Sequence, residues 1–390
     1  MTTLTSDEVN AVFDEHQAKF PQLTNQISEL RTLYTTKMWH QLTDLLTAYV
    51  KDTAFDASQD GNELVHMYGK MIEKLNFKLN PIKYALITIA CSRQFESIED
   101  AIKFLEEAKG RLRNKHDAVF LLSISQAEKK HDLGLHHDCY EMLVDIKSQV
   151  EQQADIDSKV YAALAHVHGL YYKRKEDHEN YYKSCIQYLA YTPASELNEK
   201  EQRELSIKMG MSILLGKNVF NITELLDKEI IDSLKGTDFE WLYHMMKTLG
   251  EGKIKEFEDT VKQHNEYISK FPNIVQEMQY LEQKVRIIAF LEMIFESGKD
   301  DRSMSFKKIS QTCQVEEGDV ELLVMKSMSL GLIRGTIDEV DRVVHIDWAM
   351  PRYLNKGHLQ IMHKKMEEWE LKMENVVRLV ENNSVELVQS

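Results

Sequence analysis

Residues Val320 to Trp348 read VELLVMKSMSLGLIRGTIDEVDRVVHIDW. Val320, Leu323, Val324 and Met328 fall on one face of a helix, and Gly331 stands where that helix must end. Two runs rich in β-branched residues follow, Leu332 to Ile337 and Val343 to Trp348, around the polar turn Asp338 to Arg342. Such a pair of runs predicts a β-hairpin. Upstream, Ser305 can cap a short helix carrying Phe306 and Ile309, with a turn at Gln314 to Asp319. Helix, helix and hairpin in succession make a winged-helix module over 303–350, and its hairpin is the β structure the sequence predicts.

On the C-terminal side, Pro351 separates this module from a helix at 357–382. There Leu359, Met362, Met366, Trp369, Met373, Val376 and Val380 alternate at spacings of three and four. That is a heptad seam held for about three heptads, with Lys364, Lys365, Glu367, Glu368 and Glu370 around it. It could fold back on the winged helix. Its length and regularity favour partner helices instead, because a lone helix of this kind is marginal in water and something must cover the stripe.

On the N-terminal side, one amphipathic segment follows another from Gln22 to about Lys270. Leu30, Leu33 and Tyr34 keep helical spacing, as do Trp39, Leu42, Leu45, Leu46 and Tyr49. Pro81 sits at a helix start, and Pro193 interrupts the series. Pro272 starts a long helix at 273–297 whose C-terminal half is apolar nearly all round and therefore buried. With 15 glycines and 5 prolines in 390 residues, long helices and short turns are expected throughout. The predicted fold is all-α: a helical-repeat, tetratricopeptide-like solenoid, then the winged helix with its small hairpin, then the heptad helix. The repeat consensus is absent, so a non-repeating bundle stays open for the first part. The domains are set at 1–21 (loose N-terminus), 22–177 (solenoid) and 178–350 (helical part 178–297, winged helix 303–350), with 357–382 as the bundle helix.

Phosphate loops, a nucleophile elbow and local cysteine-nucleophile signatures are all missing. Cys91, Cys139, Cys185 and Cys313 are widely spaced, which argues against disulfides and zinc and for a reducing compartment. His131 with His136 and His137, and the pair His166-x-His168, raise the question of metal. After His168, Glu176 and Glu179 stand where a metalloprotease of the H-x-H type would need Ser and Asp. Residues two apart on a helix also point to different faces, so packing or surface histidines are the better reading. A net charge of −15 makes nucleic acid a poor partner. The would-be recognition helix and its approach carry Glu316, Glu317, Asp319 and Glu321 against Lys326 alone, so the wing reads as a protein-docking edge. The start of the chain has no signal-peptide pattern, and the longest apolar run, near Tyr84 to Cys91, is too short to span a bilayer. A soluble, intracellular protein is expected.

The stretch Val320 to Trp348 resembles the end of a PCI domain, the module shared by the proteasome lid, the COP9 signalosome and translation initiation factor three. Lys37-Met38-Trp39-His40-Gln41-Leu42-Thr43 is similar to an early helix of a proteasome lid subunit of that family. Leu214-Leu215-Gly216, Val219-Phe220-Asn221 and Glu224-Leu225-Leu226 are similar to its mid-chain motif, and this motif argues against the signalosome and the translation factor. The match is weak in residues 1–20, in much of 100–200 and at the very end. The resemblance implies a lid component of cytoplasm and nucleus with no active site, metal or cofactor of its own. It also implies winged helices paired side by side with those of other PCI subunits, and C-terminal helices gathered in one bundle. The interface residues it points to are Ile333, Ile337, Val344 and Ile346 in the wing and Leu359, Met362, Met366, Trp369, Met373, Val376 and Val380 in the seam.

Overall fold

Side-chain caps and left-handed turn residues punctuate the chain into helices. Asn80 accepts a hydrogen bond from the Ile82 amide with Pro81 at the first helical position, and Asp157 and Asp177 cap in the same way. Lys37, Gly134, Asp155 and Glu176 supply positive φ in the intervening turns. The computed structural model describes residues 6–19, 23–50, 63–73, 79–112, 115–153, 155–193, 197–226, 228–297, 303–351 and 356–383. They fall into two compact units, residues 1–193 and 194–390.

The first unit is a run of helices: α1 (Ser6–Lys19), α2 (Thr24–Thr35), α3 (Trp39–Val50), α4 (Glu63–Met67, continuing into a π-helical turn, Tyr68–Ile72), α5 (Pro81–Ser92), α6 (Ile98–Arg111), α7 (His116–Asp132), α8 (His136–Glu151), α9 (Ser158–Arg174) and α10 (His178–Tyr191). From α5 to α9 each helix packs on the next, and α5, α7 and α9 also pack on one another in turn. This is the contact pattern of stacked helical pairs. One continuous core runs from Val12 to Val167 and includes Leu42, Leu46, Tyr84, Leu105, Leu122 and Leu143.

Two expectations need correction here. The N-terminal stretch is not loose, because Ser6–Lys19 is a helix with Val12, Phe13 and His16 buried. His16 Nδ1 is hydrogen-bonded to Tyr49 Oη at 3.1 Å, Asp14 pairs with Arg31, and Glu15 lies 3.5 Å from both His66 and Lys70. The first unit also extends past 177, since α10 packs along α9 and the division falls at Pro193.

The second unit opens with α11 (Glu199–Leu215), two short helices (Thr223–Leu226 and Glu229–Leu234), α12 (Glu240–Gly250), α13 (Ile254–Gln263) and α14 (Met278–Glu296). The long helix predicted from Pro272 is broken: a short helix, Pro272–Gln276, precedes α14, and Glu277 between them leaves helical geometry. Leu281, Val285, Ile288, Phe290 and Leu291 of α14 are buried, as its all-round apolar pattern requires. Gly252, in the turn between α12 and α13, has φ +65° and lies so close to α14 that a Cβ would come within 2.9 Å of the Ala289 backbone.

The winged helix comprises β1 (Ser303–Ser305), α15 (Phe306–Cys313), α16 (Val320–Ser329), β2 (Ile333–Asp338) and β3 (Val343–Ala349). Ser305 caps α15 by accepting from the Lys308 amide, Gln314 ends it in the left-handed conformation, and Gly331 ends α16 at φ +70°. The sheet has three antiparallel strands in the order β1-β3-β2, so the hairpin of the sequence reading gains a third strand. A bulge at Arg334/Gly335 presses Gly335 against β3, and a Cβ there would meet the His345 carbonyl oxygen at 2.0 Å. Beyond Pro351 the last helix is α17 (Lys356–Asn383).

His345 pairs with Ser303 on one side and Thr336 on the other, so its N–H lies within the sheet whichever way it points. His345→Pro is therefore expected to destabilise the winged helix by about 3 kcal/mol or more. Gly335→Ala should cost about 2 kcal/mol, because the carbonyl it meets belongs to backbone and cannot swing away. Denaturant unfolding of both variants against the unaltered chain measures these losses.

Candidate protein interface

Among the described residues the largest apolar surface left in water lies on α17. Leu359, Met362, Met366, Trp369, Met373, Val376 and Val380 are all exposed, from 45% at Met373 to 65% at Met366 and Trp369. The helix has 28 residues and is thus about 42 Å long. Leu371, Val377 and Leu379 add exposed apolar surface outside the seam. Burying a side chain of this kind gains about 1.5–3 kcal/mol, so seven of them offer on the order of 10 kcal/mol to a partner, before the cost of association.

The four wing residues divide. Ile333, Val344 and Ile346 are 1%, 0% and 3% exposed and form the core of the module with Val320, Val324, Ile309 and Met304. They are not free to contact another chain, and the expectation that they line an interface is corrected. The alternation that marks them as strand residues is the inward-facing alternation of a half-buried sheet. Ile337 alone of the four is only partly buried. The sequence reading made the wing a docking edge without naming the strand. β3 is flanked on both sides, so the longer unpaired edge among the described strands belongs to β2. On the open face above that edge the Arg334 guanidinium sits 5.1 Å from the centre of the Trp348 ring, and Trp348 is partly exposed.

The outer face of α16 was missed in the sequence. Leu322 and Met325 are exposed one turn apart, beside the acidic Glu317 and Glu321. The Leu322-Leu323 pair carries the signal, since only one of two adjacent helical leucines can face the core. Lys326, the lone base of α16, points back to α14, where its Nζ donates to Gln283 Oε1. Arg342 of the wing turn is paired with Glu317 at 3.1 Å. The groove-reading helix of a DNA-binding winged helix is here acidic and apolar.

Nucleophile and metal chemistry have little to work with. Burial pushes the thiols of Cys91 and Cys313 up to about 12 and that of Cys139 to about 11, so they stay protonated near neutrality. His166 is exposed and lies against Tyr188, while His168 is half-buried and stacked on Tyr172. Among the described residues no three His, Cys, Asp or Glu side chains converge as metal ligands.

Two family models match the chain: PSD13 N-terminal repeats over residues 26–246, and the PCI domain over residues 261–348. The chain is thus a PCI-domain protein, built on a winged helix that follows stacked helices. The 26S proteasome non-ATPase regulatory subunit 13 of Dictyostelium discoideum is 32% identical over 96% of this chain and 97% of its own length. Homolog A of that subunit from Arabidopsis thaliana is 31% identical over 94% and 96%, and the 26S proteasome regulatory subunit RPN9 of Saccharomyces cerevisiae is 24% identical over 93% of each. The chain belongs to the family of 26S proteasome non-ATPase regulatory subunit 13.

One histidine gives the fold a pH signature. Neither ring nitrogen of His168 has a hydrogen-bond partner, and burial pulls its pKa down to about 4. The unfolded chain takes up this proton near pH 6.5 and the folded chain only near 4, so stability falls as pH drops through that window. His168→Phe keeps the stacking and removes the proton site. It is expected to flatten the loss between pH 6.5 and 4 by on the order of 1–3 kcal/mol, read from denaturant midpoints across that range.

Proposed function

We propose that this chain is a non-catalytic scaffold subunit of the lid of the proteasome regulatory particle. In this reading it supports assembly of the 26S proteasome and, through it, ATP-dependent degradation of ubiquitinated proteins, in cytoplasm and nucleus. The observation that carries it is the uncovered seam of α17 in a chain whose relatives are named as regulatory subunits of the 26S proteasome. The partners are other PCI-domain subunits, engaged through α17 and through the outward parts of the winged helix: the edge of β2, Ile337, and the Leu322–Met325 face. The inert thiols and the dispersed histidines support a role without chemistry. The acidic approach to α16 disfavours nucleic acid. No described helix is long and apolar enough to cross a membrane. A signalosome or translation-factor scaffold is disfavoured by the match of the N-terminal repeat model over residues 26–246.

Met366→Glu together with Trp369→Glu tests the seam, because both side chains are exposed here and would be dry in a bundle. The double variant is expected to melt within about 2 °C of the unaltered chain, and to be lost from lid complexes when expressed with the other PCI subunits and purified through one of them. Normal incorporation would refute the assignment of the seam.

A further inference from the structure

Lys284 lies near the middle of α14 with no exposed surface, and no carboxylate accounts for its burial. Its Nζ donates to two backbone carbonyls at the end of α11, Ile213 at 2.6 Å and Gly216 at 2.8 Å. The rings of Phe220 and Tyr280 lie 5.8 and 6.0 Å from the same nitrogen. One turn earlier on α14, Tyr280 Oη donates to the Lys217 carbonyl, next along the same turn. Lys326 reaches the other participant: its Nζ is 6.0 Å from the centre of the Tyr280 ring and bonds Gln283. Three elements, α11, α14 and α16, thus meet at Tyr280 and Lys284.

The sequence around Gly216 is shaped for this meeting. Gly216 leaves α11 in an extended conformation, and a Cβ there would come within 2.7 Å of the Ser212 carbonyl oxygen and 2.9 Å of Val219. The tight exit turns the carbonyls of 213 and 216 towards α14 and brings Phe220 beneath the amine. The free carbonyls at a helix C-terminus carry partial negative charge, which the N–H donors of the buried amine complement, although burial pulls its pKa down to about 7. Hydrophobic attraction is non-directional, and a helix apolar on most sides leaves it the freedom to favour more than one orientation. Directional bonds to named carbonyls remove that freedom, at the expense of desolvating the amine.

We propose that Lys284 is the pin of a joint that sets the winged helix on the helical layer, holding α14 to the end of α11 and, through Tyr280 and Lys326, α16 to α14. Lys284 is a positioning residue for whatever surface the winged helix presents to partners.

Spin labels at Glu204→Cys on α11 and Ser329→Cys on α16, both exposed, read the joint directly in the full chain. The unaltered joint should give one narrow distance distribution. Lys284→Met fills the same volume without donors, and it is expected to broaden or split that distribution while the helical circular dichroism is kept. Hydrogen exchange in peptides covering 213–221 should rise about tenfold. If Lys284 only fills space, methionine leaves both the distribution and the exchange unchanged, and that result overturns the proposal. Tyr280→Phe, which loses the bond to Lys217 and keeps the ring, decides the matter should Lys284→Met not fold: broadening supports the joint, and an unchanged distribution overturns it.

Discussion

Apolar surface on a helix has to leave water, and the organisation of this chain follows from where that demand is met internally and where it is not. In the first unit the stripes of α2, α3 and α5 to α9 close on one another, and a single core runs through the stack. In the second unit α14 is covered by α12 and α13 and carries the winged helix at its far end. α17 bears a stripe as regular as any of these, yet its side chains stay in water. An exposed stripe of that length marks an interaction surface, and in the proposed reading its cover arrives from outside. In the proposed reading the function is one of display: the second unit presents an apolar helix and a winged helix near the end of its chain.

The surface of the winged helix suits protein contact better than a nucleic-acid groove. Around the helix that would enter a groove, Lys326 bonds Gln283 of α14, Arg342 of the wing turn is paired with Glu317, and the outward positions carry Leu322, Met325 and acidic neighbours. The sheet gains β1 on the far side of β3, which leaves β2 as the longer open edge. The fold alone does not set the partner, and the acidic, apolar surface is what favours protein over nucleic acid in the proposed reading.

Much of this was legible in the sequence, and the failures have physical causes. The heptad of α17 and the helix-helix-hairpin order were plain because spacing and turn residues agree there. The direction of the wing residues was misread: Ile333, Val344 and Ile346 look like docking residues in a short exposed strand, but the same alternation builds the module's core. β1 was invisible because Ser303-Met304-Ser305 has only one apolar residue and takes its identity from pairing with β3. α1 was overlooked because its buried edge rests on Val12, Phe13 and a histidine, too little apolar surface to stand out among acids and amides. Lys284 drew no reading from the sequence, since nothing local reveals that the carbonyls it bonds belong to residues 213 and 216.

The central claim is that residues up to Pro351 fold without α17 and that α17 exists for assembly. The most direct measurement compares the full chain with one ending at Asn355, taking the melting temperature of each in isolation and its recovery in complexes with the other PCI subunits of the lid. Melting within about 2 °C of the full chain is expected, with complete loss of the shortened chain from the complexes. A large drop in melting temperature, or normal recovery of the shortened chain, would contradict it.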